Sequence, residues 1–272
     1  MNFKHMFPSF RNRYNFVREK LKTYGAQQVF EKGLNLGTGE GDYDCMVAAY
    51  CQSLTGCDIN EDDLLHAQTL NNGVLNLHYE VNNALDLSYP DAHFDLVVSS
   101  EVIEHVGKPD VMMMEIGRVL KPGGLAIMTF PSREFPITYD PINRIWQLFK
   151  SDGSREYAIS QGAYAFGHEY LIGSDDFKKW AEKAGLEILE FQPLSGALVG
   201  LVEMYWTGLA QRIFKKNATN LTETQENALT VRPNSSKEPS MVFLTDVFLW
   251  KDRVLMLGSK SSVGKGVVLR KR

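Results

Sequence analysis

The chain has 272 residues, 44% of them hydrophobic and 23% charged, with a net charge of −4. This suits a soluble globular protein of one large domain plus additions, long enough to bury a full core. It excludes the global basic field that recruits nucleic acid. The three cysteines, Cys45, Cys51 and Cys57, are odd in number and contain no C-x-x-C pair. Reduced, mostly buried thiols in a cytoplasmic protein are therefore expected. No signal-type apolar core opens the chain, and no uncharged apolar run reaches the roughly 18 residues of a membrane span. The sequons at Asn217, Asn220 and Asn234 are then expected to be accidental.

Residues 1–25 are aromatic and basic: Phe3, Phe7, Phe10, Tyr14, Phe16 and Tyr24 alternate with Arg11, Arg13, Arg18 and Lys20. Val17, Leu21 and Tyr24 at helical spacing predict an amphipathic helix. It either covers an edge of the sheet or closes as a lid, from which Arg13 or Tyr14 could meet a ligand carboxylate.

The organising stretch follows. Gly33 to Leu36 reads as a short buried strand, Gly37, Gly39 and Gly41 alternate after it, and a helical pattern begins near Asp42. Strand, glycine turn and helix form the first unit of a doubly wound nucleotide-binding sheet. The third glycine comes one residue earlier than in G-x-G-x-x-G, and Glu40, Asp42 and Asp44 crowd the loop. Such carboxylates would repel a pyrophosphate. A cationic ligand with a carboxylate at one end suits the loop better, and S-adenosylmethionine, a sulfonium with an amino acid tail, has that character. The bland alternative is an ordinary tight turn.

Tyr43 to Tyr50 is predicted as the first crossover helix and Ser53 to Ile59 as the second strand. Asp58 ends that strand, 21 positions after Gly37. An acid about 20 positions on accepts hydrogen bonds from ribose hydroxyls in doubly wound folds. The alternative is an N-cap for the next helix, Glu61 to Leu70. Val74 to Val81 makes a third strand, leading to the turn Asn82-Asn83-Ala84-Leu85-Asp86-Leu87. There Asn83 can meet an adenine edge, Ala84 offers a backbone N–H and Leu85 a flat apolar contact; a plain polar turn is the alternative. Phe94 to Ser100 is a strongly apolar fourth strand running into Glu101-Val-Ile-Glu-His105. A helix (Asp110 to Leu120), the turn Lys121-Pro-Gly-Gly124 and a fifth strand (Leu125 to Phe130) complete another parallel βαβ unit.

Gly37-Thr-Gly-Glu-Gly41, Asp58, the Asn83-Ala84 turn, Phe94-Asp95-Leu-Val-Val98, Glu101-Val-Ile-Glu-His105 and Leu120-Lys-Pro-Gly-Gly124 stand in the order found in class I S-adenosylmethionine-dependent methyltransferases. The resemblance covers about residues 30 to 130, with a weaker match at 168–191, and is nearest the broad group that includes ubiquinone-type O-methyltransferases and many small-molecule methyltransferases. It implies an α/β Rossmann-like doubly wound seven-stranded sheet of order 3-2-1-4-5-7-6, last strand antiparallel, with helical cap insertions. It also implies S-adenosyl-L-methionine contacts at Gly37, Thr38, Gly39 and Gly41, at Asp58 and Ile59, at Asn83, Ala84 and Leu85, and at Ser100 and Glu101. Asn83 departs from the pattern, since many relatives carry aspartate there.

Beyond the fifth strand the chain is less regular. Residues 131–173 form a long insertion containing Pro131, Pro136, Pro141 and His168, and a loop of that length is usually functional. A helix capped by Ser174 (Asp175 to Ala184), a stop at Gly185 and a sixth strand (Leu186 to Phe191) follow. Residues 194–214 are apolar on most faces and end in the basic cluster Arg212 to Lys216. They read as a buried cap helix or pocket wall, or, more sharply, as a contact with a lipid or membrane surface. Residues 217–239 read as a polar, flexible loop, Val242 to Leu257 as a helix and Gly266 to Arg270 as a last strand. The whole of 1–272 is read as a single domain, with 1–25 as its lid helix and 131–173 and 194–257 as acceptor-side insertions.

Methyl transfer from a sulfonium is an in-line displacement, so the protein must align three atoms and keep water out. Such positioning is worth roughly 7–11 kcal/mol. A hydroxyl acceptor also needs a base, and His105 and His168 are the candidates, with a structural hydrogen bond as the alternative for each. His5, His66, His78 and His93 are expected outside the site. If the turn after the fourth strand were helical, Glu101, Glu104 and His105 would share a face able to hold a divalent ion. No metal is expected, however, since the motif also occurs in relatives without one. The expectation is a methyltransferase acting on a small-molecule or lipid-like acceptor, most readily at oxygen. N- or C-methylation and a non-catalytic cofactor-binding protein are the alternatives; the acidic loop argues against a nicotinamide enzyme. Beyond the acceptor, the apolar 194–214 stretch could serve a homodimer as easily as a pocket, or a peripheral membrane contact.

Overall fold

Seven strands hydrogen-bond into one mixed sheet in the computed structural model of the chain, which describes residues 1–26, 29–149, 171–205, 221–223, 229–231 and 235–272. In chain order they are β1 (Phe30–Leu36), β2 (Cys51–Asp58), β3 (Leu77–Val81), β4 (Phe94–Ser100), β5 (Leu120–Pro131), β6 (Leu186–Leu194) and the last strand, β9 (Gly264–Lys271). The spatial order is β3-β2-β1-β4-β5-β9-β6, the 3-2-1-4-5-7-6 order with the final strand inserted as the sixth neighbour. The first five run parallel, and β9 pairs antiparallel with both β5 and β6. A separate two-stranded ladder joins β7 (Leu221–Glu223) to β8 (Leu229–Val231).

The central strands are apolar because both sheet faces are covered. On one face α4 (Pro109–Val119) and α6 (Ser174–Lys183) bury Met112, Met113, Ile116, Phe177 and Ala181 against Leu34, Leu36, Val97 and Met128. On the other, α1 (Pro8–Gly25) and α2 (Asp44–Ala48) bury Phe16, Val17, Leu21 and Val47 against Leu54, Val98, Ile127 and Val268. The N-terminal helix therefore covers a sheet face rather than an edge.

Several boundaries differ from expectation for local reasons. The first crossover helix is only five residues, because β2 already starts at Cys51. The final strand runs from Gly264, longer than the apolar run suggests, because it is paired on both sides. Lys121-Pro-Gly-Gly124 does not separate helix and strand; β5 starts at Leu120, with an irregularity opposite Phe94–Leu96. Ser174 does not cap α6: Gly173 holds the N-cap position, and the Ser174 hydroxyl donates to Glu134 at 2.9 Å. α3 (Glu61–Leu70) is capped by Asn60, whose side chain accepts from Asp62 and Asp63 N–H, so Asp58 is not spent as a cap. Cys51 and Cys57 are buried, but Cys45 is exposed.

The remaining helices are α5 (Pro141–Phe149), α7 (residues 197–205) and α8 (Val242–Leu255). His168, the basic cluster at 212–216 and the three sequons lie outside the described residues. No helix among the described residues is long and apolar enough to cross a membrane.

Candidate active site

β1 delivers the chain into a turn that a side chain would block. Gly37, Gly39 and Gly41 sit at φ 73°, 52° and 83°, the left-handed region that favours glycine. A Cβ on Gly37 would strike the Val102 side chain, and one on Gly41 would meet Asn71 and Ala67 of the α3 end. A Cβ on Gly39 would meet nothing within 4 Å. The loop thus packs down at its ends and opens its middle to solvent, the shape a bound group can fill.

A buried polar network holds the loop. Asp44, fully buried, accepts from the Thr38 hydroxyl at 2.6 Å, from the Tyr79 hydroxyl at 2.7 Å and from the Asn35 amide. Burial raises its pKa, opposed by those same donors. Asn71 then bridges the Tyr79 hydroxyl and the Gly41 carbonyl. The Thr38 side chain is therefore committed to the scaffold, leaving its backbone to any ligand. Asn35, a lone amide in an apolar strand, is the sequence signal for this network.

The loop's acidity is also largely cancelled. Lys4 reaches Glu40 at 2.7 Å and Asp42 at 2.6 Å, and Asn2 donates to Asp42 at 2.6 Å. Burial works to lower the Lys4 pKa, but the two carboxylates outweigh it and hold the ammonium charged. The repulsion argument from Glu40, Asp42 and Asp44 thus loses most of its force: two are paired and the third faces inward.

Above the loop lies a cleft of about 1420 Å³, larger than the usual range for a single small ligand. Gly37, Thr38, Gly39, Asp58 and Ile59 line one end, and Asn83, Ala84 and Leu85 form a side wall. Ser100, Glu101 and His105 line the part beyond β4. Gly41 is the exception among the expected contacts, since it is turned against α3. Asp58 accepts from the Gly39 N–H at 2.8 Å and the Asn60 N–H at 3.0 Å, which fixes its carboxylate at the strand end. The Asn83 side-chain oxygen accepts from Leu85 N–H at 3.0 Å and leaves the amide N–H₂ to offer. His66 also lines the cleft, from α3, against the expectation that it lay elsewhere.

The lid helix contributes Phe10 and Arg13 to the cleft, whereas Tyr14 does not line it. Tyr14 packs instead edge-on against His5 and tilted against Tyr43. Arg13 meets Glu101 at 3.2 Å, and its Nε is buried without a hydrogen-bond partner among the described residues. Burial opposes its charge, and Glu101 with other acidic neighbours more than restores it. Glu101 sits at φ 59°, strained for a residue with a Cβ, and also accepts from Thr129 at 3.1 Å. Tyr43, missed in the sequence, lines the same region; burial pushes its phenol up to about 12.

Residues 101–107 form turns rather than a helix. Glu101 faces Arg13, while Glu104 is fully buried, with neither side-chain oxygen hydrogen-bonded to another described residue. Burial, then the Glu101 charge, raises the Glu104 pKa well above the carboxylate range. Its nearest basic neighbour is His105 Nε2, at 3.8 Å. The shared helical face imagined for a metal therefore does not form, and no group of three or more His, Cys, Asp or Glu among the described residues is placed to hold an ion.

A family model described as "Methyltransferase domain" matches residues 34–128, from β1 to the middle of β5. The chain carries a class I S-adenosylmethionine-dependent methyltransferase domain. A ubiquinone biosynthesis O-methyltransferase of Coxiella burnetii is 26% identical over 179 residues, covering 61% of this chain and 69% of that protein. The methyltransferase is equally similar, at 26%, to a ubiquinone/menaquinone biosynthesis C-methyltransferase of Psychromonas ingrahamii, over 64% of this chain and 74% of that protein. Among solved structures it shares its fold with Haemonchus contortus phosphoethanolamine N-methyltransferase 2 bound to S-adenosyl-L-methionine: TM-score 0.58, 18% identity, 94% of this chain and 52% of that one. It shares the fold also with the [4+2]-cyclase SpnF, at TM-score 0.57, 15% identity, 94% of this chain and 79% of that one. The fold is therefore common to transferases of differing acceptor atoms and to a cyclase, and acceptor chemistry must be argued from side chains.

Proposed function

We propose that this methyltransferase moves the methyl group to a hydroxyl of a small-molecule or lipid-like acceptor, with His105 as the base. The observation that carries the reading is the single cleft uniting Asp58, the Gly39 opening, the Asn83 turn and His105, with volume to spare beyond one cofactor. S-adenosylmethionine supplies the activated methyl and a neutral leaving group. The open backbone at Gly39 suits its amino acid tail, Asp58 its ribose hydroxyls, and the amide of Asn83 with the N–H of Ala84 its adenine edge. Arg13, with a donor left over after Glu101, is placed for its carboxylate.

The chain's own groups do the rest. Ser100, Glu101 and His105 follow directly from the central strand β4, so rigid pairing on both sides fixes where they stand. Phe10 and Tyr43 narrow the cleft and exclude water. His105 takes the acceptor proton at an imidazole nitrogen as the oxygen attacks. His168 remains a second candidate base from its sequence position.

We read residues 1–272 as one cytoplasmic catalytic unit, with 131–173 and 194–257 shaping the acceptor side. Tyr139, from that side, lies among Glu203, Arg13 and Glu101, which supports this placement. C-methylation is the second reading, favoured by the equal likeness to the quinone C-methyltransferase.

Calorimetric titration with S-adenosylmethionine, S-adenosylhomocysteine and NAD is the first test, expected to show micromolar binding of the two adenosyl ligands and none of NAD. Catechols and quinols of varied tail length are then screened for S-adenosylhomocysteine release. With an acceptor in hand, His105→Gln should lower turnover about 100-fold or more while cofactor affinity holds. A methylated carbon, or unchanged turnover in that variant, would overturn the oxygen-and-His105 reading.

A further inference from the structure

Two helices on the acceptor side are built inside out. In α8 the buried face carries Thr245 and Asp252 beside Leu249. Asp252 accepts from the N–H groups of Gly196, Leu198 and Val199 and so caps α7. Asp246 takes a two-pronged bond from Arg11 at 2.8 and 2.9 Å and a further one from Asn15. The polar side chains of α8 thus tie it to the domain. Its outward arc is apolar: Phe243, Leu244, Val247, Trp250, Val254 and Leu255 are all exposed, Trp250 to 64%. At helical spacing these residues form one stripe.

α5 repeats the pattern. Ile142, Ile145, Trp146 and Phe149, spaced i, i+3, i+4 and i+7, are exposed, while Asn143 is fully buried against Asp140. The helices adjoin through α7: Thr138, just before α5, donates to the Ala197 carbonyl, and Asp252 of α8 caps the same turn. Two exposed apolar helix faces anchored on the same turn of α7 mark an interaction site.

We infer that the outward faces of α8 and α5 dock the protein on an anionic lipid bilayer. Charge selects this occupant. The one charged side chain within the α8 arc is Lys251, and Arg253 and Lys260 are exposed beside and beyond it. Both acids of the helix are turned to internal partners. Aromatic and aliphatic residues bordered by cations that pair with no acid among the described residues, with Trp at the surface, are the composition of a helix lying in a lipid interface. The inference is independent of the acceptor's identity, since it concerns binding rather than turnover.

Flotation of the full chain tests it, using vesicles of phosphatidylcholine alone and of equal parts phosphatidylcholine and phosphatidylglycerol. The expected result is flotation with the anionic vesicles, much weaker with phosphatidylcholine. The Phe243→Ser, Trp250→Ser double variant should lose about tenfold or more in partitioning. Lys251→Glu should lose about fivefold, on anionic vesicles only. Leu75→Ser, at a remote exposed leucine, should change nothing. Unaltered melting and S-adenosylhomocysteine binding in the variants would show that the fold is kept. Absence of flotation, or equal flotation of the double variant, overturns the inference. So does a dimer in sedimentation that the double variant dissociates without any vesicle binding, which would assign the face to a second copy.

Discussion

The central sheet region of residues 30–131 and the two helices α5 and α8 obey opposite rules. In the first the apolar residues of the central strands and of α4 point inward: β1, β4 and β5 are buried along most of their length, and α4 turns Met112, Met113 and Ile116 to the sheet. In the second, α5 and α8 turn their apolar stripes outward and hold on by Asn143, Asp246 and Asp252. The lesson is that periodicity reports a face and not its direction. A helix is amphipathic whether the apolar side meets a core or a partner; only the packing tells which.

The largest expected effect tests the inward-pointing half. Gly37→Val adds a branched side chain at φ 73° against Val102, so the loop must move. A left-handed backbone alone costs a substituted residue about 1–2 kcal/mol. Cofactor affinity should fall about 100-fold or more, since the loop is displaced, while melting falls by a few degrees. Affinity within a factor of two of wild type in calorimetry would mean the loop is no cradle.

A smaller loss is expected from Asp58→Ala. The carboxylate holds Gly39 N–H in place and is the proposed partner of the ribose, so affinity should weaken by about 1–3 kcal/mol. The isosteric Asp58→Asn should recover part of it. Equal affinity in all three proteins would remove Asp58 from the site.

The smallest effect sharpens the boundary between the halves, at the turn after β4. An unfolded Glu104 ionises near 4.5, whereas burial keeps the folded carboxyl protonated to higher pH. A raised carboxyl pKa gives stability that is present below the unfolded value and lost as pH rises toward the folded one. Relative to Glu104→Gln, wild type should therefore lose stability as pH rises from about 4.5 toward neutrality. Parallel denaturation curves for the two proteins across that range would show that Glu104 is solvated or paired.

Most of the cofactor half was legible. β4 and α3 fall at their expected residues, and Gly37, Gly39, Asp58, Asn83 and His105 meet in one cleft. Their spacing is set by strand and helix lengths, which are local properties. What escaped were groups whose role depends on distant partners. Lys4 neutralises Glu40 and Asp42 across more than thirty positions, Tyr79 and Asn35 converge on Asp44, and Tyr43 lines the cleft packed against Phe10 and Tyr14 of the lid helix. No periodicity encodes such meetings.

The sequence by itself determined the strand–turn–helix units, their order in the sheet through family resemblance, and the left-handed glycine loop, because each follows from side-chain size, alternation and spacing along a short stretch. Only the tertiary structure decided that the loop's acids are paired or buried, that residues 101–107 form turns around a strained Glu101, and which way α5 and α8 face. Those outcomes depend on which surfaces the folded chain brings together, and burial and charge compensation are properties of the assembled neighbours rather than of any residue alone.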